Sequence, residues 1–343
     1  MQLKEHTLFA NRFDLLHSIG RGGFSEVWLA KDSFTKLDIA VKIYAPGQGM
    51  DSDGLADFSA ELARVFALNH TNLLKPTHVD SWEGMPYLIM PYCSKGSLSK
   101  KVGKMTEAEI WELIHDVASG LAYLHKRDII HQDIKPANIL IDEGGNYVIT
   151  DFGISTKART TLRKSTINAG NLSGGTIEYM GPERFGENPK PVKASDIWSL
   201  GAMIFELMTG DVPFIEHGGL IQRSGAVIPY IEGNYSDELK SLVFSMLATE
   251  PWDRPTAEQL SHIEIGTPIR KEPASRPTMP ASQPTVPVSQ PTMPVSQPTM
   301  PVTQPVAVDV PKKKRFPIIV TQLFVLVILF LSVLLISFIL MIL

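Results

Sequence analysis

Two short polar stretches carry the residues best suited to chemistry. Ile129-Ile130-His131-Gln132-Asp133-Ile134-Lys135-Pro136-Ala137-Asn138-Ile139-Leu140 sets an aspartate, a lysine and an asparagine between apolar runs, and Asp151-Phe152-Gly153 follows shortly after. Apolar runs of that length read as strand-like core segments, so the polar residues belong on a loop at the edge of the core. An Asp, an Asn and a second Asp arriving together suit a hard, oxygen-coordinated cation such as Mg2+, and Mg2+ in turn suits phosphate.

Two other stretches fit phosphate chemistry. Gly20-Arg21-Gly22-Gly23-Phe24-Ser25 lies between the apolar runs Phe13–Ile19 and Glu26–Ala30. Glycines let backbone amides approach phosphate oxygens with no side chain in the way, although a plain hairpin turn would use them too. Asp38–Tyr44 is an apolar strand broken by one lysine, Lys42. That lysine either snorkels at an edge or meets a carboxylate inside. The helical stretch 55–69 offers Glu61 as the partner, with Phe58, Leu62, Val65 and Phe66 as its apolar face.

Taken together, H-x-D-x-K-x-x-N, D-F-G, the glycine loop and Ile39-Ala40-Val41-Lys42 resemble the motifs of eukaryotic-like (Hanks-type) Ser/Thr protein kinases. The resemblance covers residues 12–264 and implies an α+β, bilobal fold with a small β-rich lobe and a large helical one. It implies ATP as co-substrate with Mg2+, or Mn2+ as the alternative cation. Catalytic roles fall to Asp133 as acceptor of the hydroxyl proton and Lys135 as neutraliser of the transferring group. Lys42 is expected on the α/β-phosphates, paired with Glu61, and Asn138 and Asp151 on the metal. The nucleotide is expected among Ile19, Gly20, Gly22, Gly23, Val27, Ala40, Lys42, Met90, Tyr92, Cys93 and Leu140. Val27 would cover the adenine, Leu140 form its floor, Met90 stand as gatekeeper, and the 91–93 backbone meet the adenine edge.

Three departures stand out. Ser25 replaces the third glycine of the loop, and Gly181 replaces the alanine of A-P-E. Gln132 stands where the family usually has an arginine that pairs with an activation-loop phosphate. A neutral amide loses that charge-assisted bond, so turnover is not expected to hinge on a phosphate met by residue 132, unless Arg163 or Lys164 meets it instead. Lys135 and Thr176 point to the Ser/Thr branch, and the Ser/Thr-rich stretch 155–173 suggests autophosphorylation.

The elements that must position these residues can also be read. Glu107–Lys126 is amphipathic, with Ile110, Leu113, Ile114, Val117, Leu121 and Leu124 on one face, and Thr106 and Glu109 have capping-box spacing. Asp196 opens an apolar helix that ends at Gly210, Arg254 is expected to pair with Glu183, and a short helix covers Ala257–Ile263.

Of the 343 residues 44% are hydrophobic and 20% charged, with net charge −4, which argues against a general nucleic-acid binder. The one cysteine, Cys93, excludes an internal disulfide framework and fits a reducing compartment. Met1–His6 holds no apolar run, so no secretory signal is expected. Residues 265–311 form a Pro/Ser/Thr/Gln-rich linker, whose seven-residue repeats over 273–306 fit an extended spacer reaching roughly 100 Å. Lys312-Lys313-Lys314-Arg315 then precedes residues 316–343, which carry no charge and would make a helix of about 39 Å from 318 on, long enough to span a bilayer. The basic cluster marks the cytoplasmic side. The reading is a single-pass, C-terminally anchored Ser/Thr kinase with its catalytic part in the cytoplasm. It would act on protein substrates, with self-association for trans-autophosphorylation. The competing reading is a pseudokinase scaffold tethered to a membrane, which has no need of Lys42, Asp133, Asn138 and Asp151 together.

Overall fold

Residues 3–22, 25–45, 50, 52–152, 177–186 and 189–263 are described by a computed structural model of the chain. Gly23, Gly153, the stretch 155–173, Thr176, the linker 265–311, the basic cluster 312–315 and the expected membrane helix 316–343 lie outside the described residues. No described helix is long and apolar enough to cross a membrane.

The N-terminal part is a six-stranded antiparallel sheet. Its strands are β1 (Thr7–Phe9), β2 (Phe13–Arg21), β3 (Ser25–Asp32), β4 (Asp38–Tyr44), β5 (His78–Trp82) and β6 (Met85–Pro91). They lie in the order β1-β2-β3-β4-β6-β5. Period-two alternation sorts the side chains of β3, β4 and β6 onto two faces. Val27 opposes Lys42, Lys42 opposes Leu88, and Ala40 opposes Met90. These residues share the face that packs on helix α1 (Ser52–Phe66) and on Leu140 and Val148. Trp28, Val41, Ile43 and Ile89 fill the opposite face with Phe9 and Phe13.

Phe58, Leu62 and Val65 of α1 are buried as expected, whereas Phe66 is 40% exposed. At 100° per residue it sits about 80° round the helix from Phe58, outside the stripe. The helix also begins three residues earlier than 55 and stops at 66, because the chain turns at Ala67–Leu68 toward the His70-Thr71-Asn72 corner.

The larger part is helical, and its centre is α3 (Lys193–Thr209). This helix is buried almost all round, with Ile197, Trp198, Leu200, Met203, Ile204 and Leu207 at 1% exposure or less. Its stop is local, because Gly210 takes φ +97°, a left-handed cap that a side chain would strain. Around it pack α2 (Glu107–His125), α4 (Gly219–Arg223), α5 (Asp237–Met246) and α6 (Ala257–Ser261). The α2 start is a capping box: the Thr106 hydroxyl accepts from Glu109 N at 3.4 Å, and Glu109 Oε2 accepts from Thr106 N at 2.9 Å. All six apolar residues expected on its inner face are at 1% exposure or less.

Ile129-Ile130 is not a strand; both residues are half-buried in irregular chain. Only the second apolar run pairs, as β7 (Ile139–Ile141) against β8 (Tyr147–Ile149). A two-residue apolar run cannot distinguish a strand from a loop docked on a core. The polar stretch between them is a loop, as expected.

Candidate active site

The loop 129–138 is held from below by α3. Asp196, 0% exposed, accepts from the backbone N–H of Gln132 at 2.8 Å and of His131 at 2.9 Å, and Nε2 of His125 faces its Oδ2 at 2.8 Å. Gln132 itself has φ +68°, a strained conformation for a side-chain-bearing residue that these bonds keep in place. The His131 ring bridges the loop to the strand after it. Its Nδ1 accepts from Asp133 N at 3.2 Å, so Nε2 carries the proton and donates to Thr150 O at 2.9 Å. Neither Asp196 nor His125 was identified from sequence as a support of this loop. The available signal was a carboxylate, Asp196, at the start of a largely apolar helix, where burial would require donors.

The catalytic side chains converge above this support. Asp133 accepts from Lys135 Nζ at 3.0 Å through Oδ1, and from Asn138 Nδ2 at 2.9 Å through Oδ2. Asn138 Nδ2 also donates to the Asp133 carbonyl at 2.7 Å, so both bonds use the amide nitrogen and neither uses the amide oxygen. Both Asp133 oxygens are therefore oriented, and the carboxylate keeps lone pairs for a further proton.

From the sheet, Lys42 reaches across to Asp151 and donates to its Oδ1. Lys42 is 5% exposed. Burial works against its charge, yet Asp151 and the Tyr44 phenol outweigh that effect and hold the amine above its usual range. Of the two readings that the strand left open, Lys42 follows the one implied by the resemblance, buried and paired, with Asp151 as the described partner. The side chain of Glu61, expected there from the resemblance, lies outside the described residues. Asp151 takes φ +64°, a second strained residue at the same edge.

Beside these groups lies the inner face of the sheet. Val27, Ala40, Met90, Cys93 and Leu140 pack in one apolar cluster. Gly20 lies opposite Val27, and Gly22 N donates to Ser25 O at 2.8 Å, closing the turn. Ile19 is 41% exposed, next to that turn. Tyr92 and Cys93 lead out of β6, where Gly96 N donates to the Cys93 carbonyl. The Cys93 thiol is free and buried, and burial with Asp142 and Glu143 nearby pushes its pKa up to about 11. Of the expected nucleotide residues, Val27, Ala40, Met90, Cys93 and Leu140 thus share one cluster, and Gly23 lies outside the described residues.

A divalent cation suits this donor set. Asn138 and Asp151 both offer oxygen, the hard ligand that Mg2+ prefers, and Asp151 is 34% exposed at its side chain.

The profile of the protein kinase domain family matches residues 13–264, well over half of the chain. The chain belongs to the protein kinase family. It falls with the Hanks-type Ser/Thr kinases. It is 33% identical over 208 residues to the serine/threonine-protein kinase PrkC of Bacillus subtilis, covering 60% of this chain and 31% of that protein. It is 30% identical over 212 residues to a probable serine/threonine-protein kinase PknB of Lactococcus lactis, 60% of this chain and 33% of that one. It is 31% identical over 256 residues to an Aurora kinase of Saccharomyces cerevisiae, 73% of this chain and 68% of that one. The chain therefore spans only about a third of the length of the two bacterial relatives. The expected boundary of 12–264 differs from the family match by one residue.

The family's expected ion pair within the large lobe is present. Arg254 meets Glu183 through two nitrogens, at 3.0 and 2.8 Å, and also donates to the carbonyls of Ala248, Ala194 and Thr249. Burial acts to raise the Glu183 pKa, but Arg254 prevails and holds it below the usual carboxylate range.

Proposed function

We propose that this protein transfers the γ-phosphoryl of ATP to Ser or Thr hydroxyls of proteins while anchored to a membrane by residues 316–343. The carrying observation is the oriented Asp133 carboxylate, set by Lys135 and Asn138 on a loop bolted to α3, opposite the buried Lys42–Asp151 pair. Asp133 accepts the proton of the attacking hydroxyl. Lys135, beside it, offsets charge on the transferring group. Lys42 binds the α/β-phosphates, and the cluster of Val27, Ala40, Met90 and Leu140 encloses the adenine. Asn138 and Asp151 would hold Mg2+, which when bound neutralises phosphate charge. Rate enhancement then comes from positioning and preorganised electrostatics.

Names of relatives support Ser/Thr rather than Tyr as acceptor, and Lys135 agrees with them. The Ser/Thr-rich stretch 155–173 and the repeats over 273–306 supply acceptors for autophosphorylation, in trans where two copies meet on one membrane. The test uses the full chain in detergent micelles with Mg-ATP. Phosphate is expected on serine and threonine of the protein and of a generic basic acceptor. Nucleotide binding with no transfer to either would favour a scaffold instead.

For the anchor, the expected result is full retention in the membrane pellet after alkaline carbonate extraction. Deleting 316–343 should move the protein to the supernatant without changing kinase turnover. Persistence of the shortened protein in the pellet would sink the assignment.

A further inference from the structure

Lys42 and Tyr44 stand two residues apart on β4 and so project from the same face of the sheet. Tyr44 is 3% exposed. Its ring meets Phe58 of α1 edge-on, with centroids 4.8 Å apart and planes at 62°. The Lys42 ammonium lies 5.4 Å from the centre of the same ring, within the range of a cation–π contact. The ring also lines a small recess whose other walls include Leu62, Val65, Asp151 and Phe152. A single aromatic side chain therefore touches the helix, the lysine and the surroundings of the proposed metal ligand.

We propose that Tyr44 is a positioning residue for nucleotide phosphate: it holds the Lys42 ammonium in place and ties it to α1 through Phe58. A lysine side chain has many rotamers, and fixing one has an entropic cost that an adjacent ring and phenol offset. An aliphatic residue at position 44 would fill the space but give the ammonium no attractive face. The inference rests on reading the inner face of the sheet as a nucleotide site.

The test separates phosphate from base. ADP and adenosine binding to the full chain in detergent micelles are measured by calorimetry for the wild type, Tyr44→Phe and Tyr44→Leu. ADP affinity is expected to fall about threefold with Phe, which keeps the ring, and about tenfold with Leu, which removes it, a span consistent with one cation–π contact. Adenosine affinity should not change, because it has no phosphate for Lys42 to meet. In a Lys42→Ala background neither substitution should weaken ADP further. Equal losses for ADP and adenosine would mean that Tyr44 only packs, and would overturn the proposal. So would unchanged ADP affinity in both variants, or an undiminished loss in the Lys42→Ala background. Wild-type protein that bound neither ligand would overturn the nucleotide reading itself.

Discussion

Asp133→Asn is expected to lower phosphoryl transfer by about 10²–10⁴-fold, the span that a positioned general base contributes. That corresponds to about 2.7–5.4 kcal/mol at roughly 1.36 kcal/mol per decade. The substitution is nearly isosteric, and the amide oxygen can still accept from Lys135 or Asn138, so the loop should keep its shape. What is lost is the negative charge and the basic oxygen. ADP affinity should be unchanged, because the nucleotide contacts proposed above fall to Lys42 and the apolar cluster and not to Asp133. Initial rates with Mg-ATP, alongside ADP calorimetry, give both numbers. Turnover within threefold of wild type would remove Asp133 from the role assigned to it.

Arg254→Leu should cost about 3–5 kcal/mol of stability, the expected penalty for stranding one partner of a buried ion pair. The Arg254 side chain is fully buried, and Glu183 is 14% exposed at its side chain. Its loss also strands the carbonyls of Ala194, Ala248 and Thr249. Against a typical total of about 5–15 kcal/mol, one substitution removes a large fraction. The pH dependence gives a second readout. In the wild type the folded Glu183 pKa is depressed, so its contribution is present above the unfolded value of about 4.3 and lost as pH falls through the folded one. Without Arg254, burial is the dominant effect and raises the Glu183 pKa above the unfolded value. The variant then regains stability relative to wild type as pH drops toward 4. Urea unfolding at pH 7 and pH 4.5 should show the gap narrowing; a gap that is small or independent of pH would contradict the account.

Much of the site was legible because its chemistry is written in short, local spacing. Asp133, Lys135 and Asn138 lie within one loop, so a separation of five residues suffices to bring their side chains together. The capping box at Thr106 and the stop at Gly210 are equally local, and both appear where expected. The Glu183–Arg254 pair spans 71 residues and was legible only through the family resemblance. What was not legible depends on packing between distant elements. Asp196 supports the loop across 64 and 65 residues of sequence, and nothing in its neighbourhood names its partners. Phe66 looked like part of the α1 stripe because hydrophobicity was counted before helical phase. Ile129-Ile130 looked like strand because a buried loop and a buried strand are equally apolar over two residues. The Tyr44 contact with Phe58 needs the α1–β4 geometry, which no spacing rule supplies.

The state of the Cys93 thiol has a chemical consequence. Peroxides and carbon electrophiles attack thiolate, not thiol. With a pKa of about 11, only about one Cys93 in ten thousand is ionised at pH 7. The chain has no other cysteine. Oxidants and alkylating agents that disable low-pKa cysteine enzymes should therefore leave Cys93 unmodified. Covalent ligands that rely on a hinge cysteine would have little to react with here.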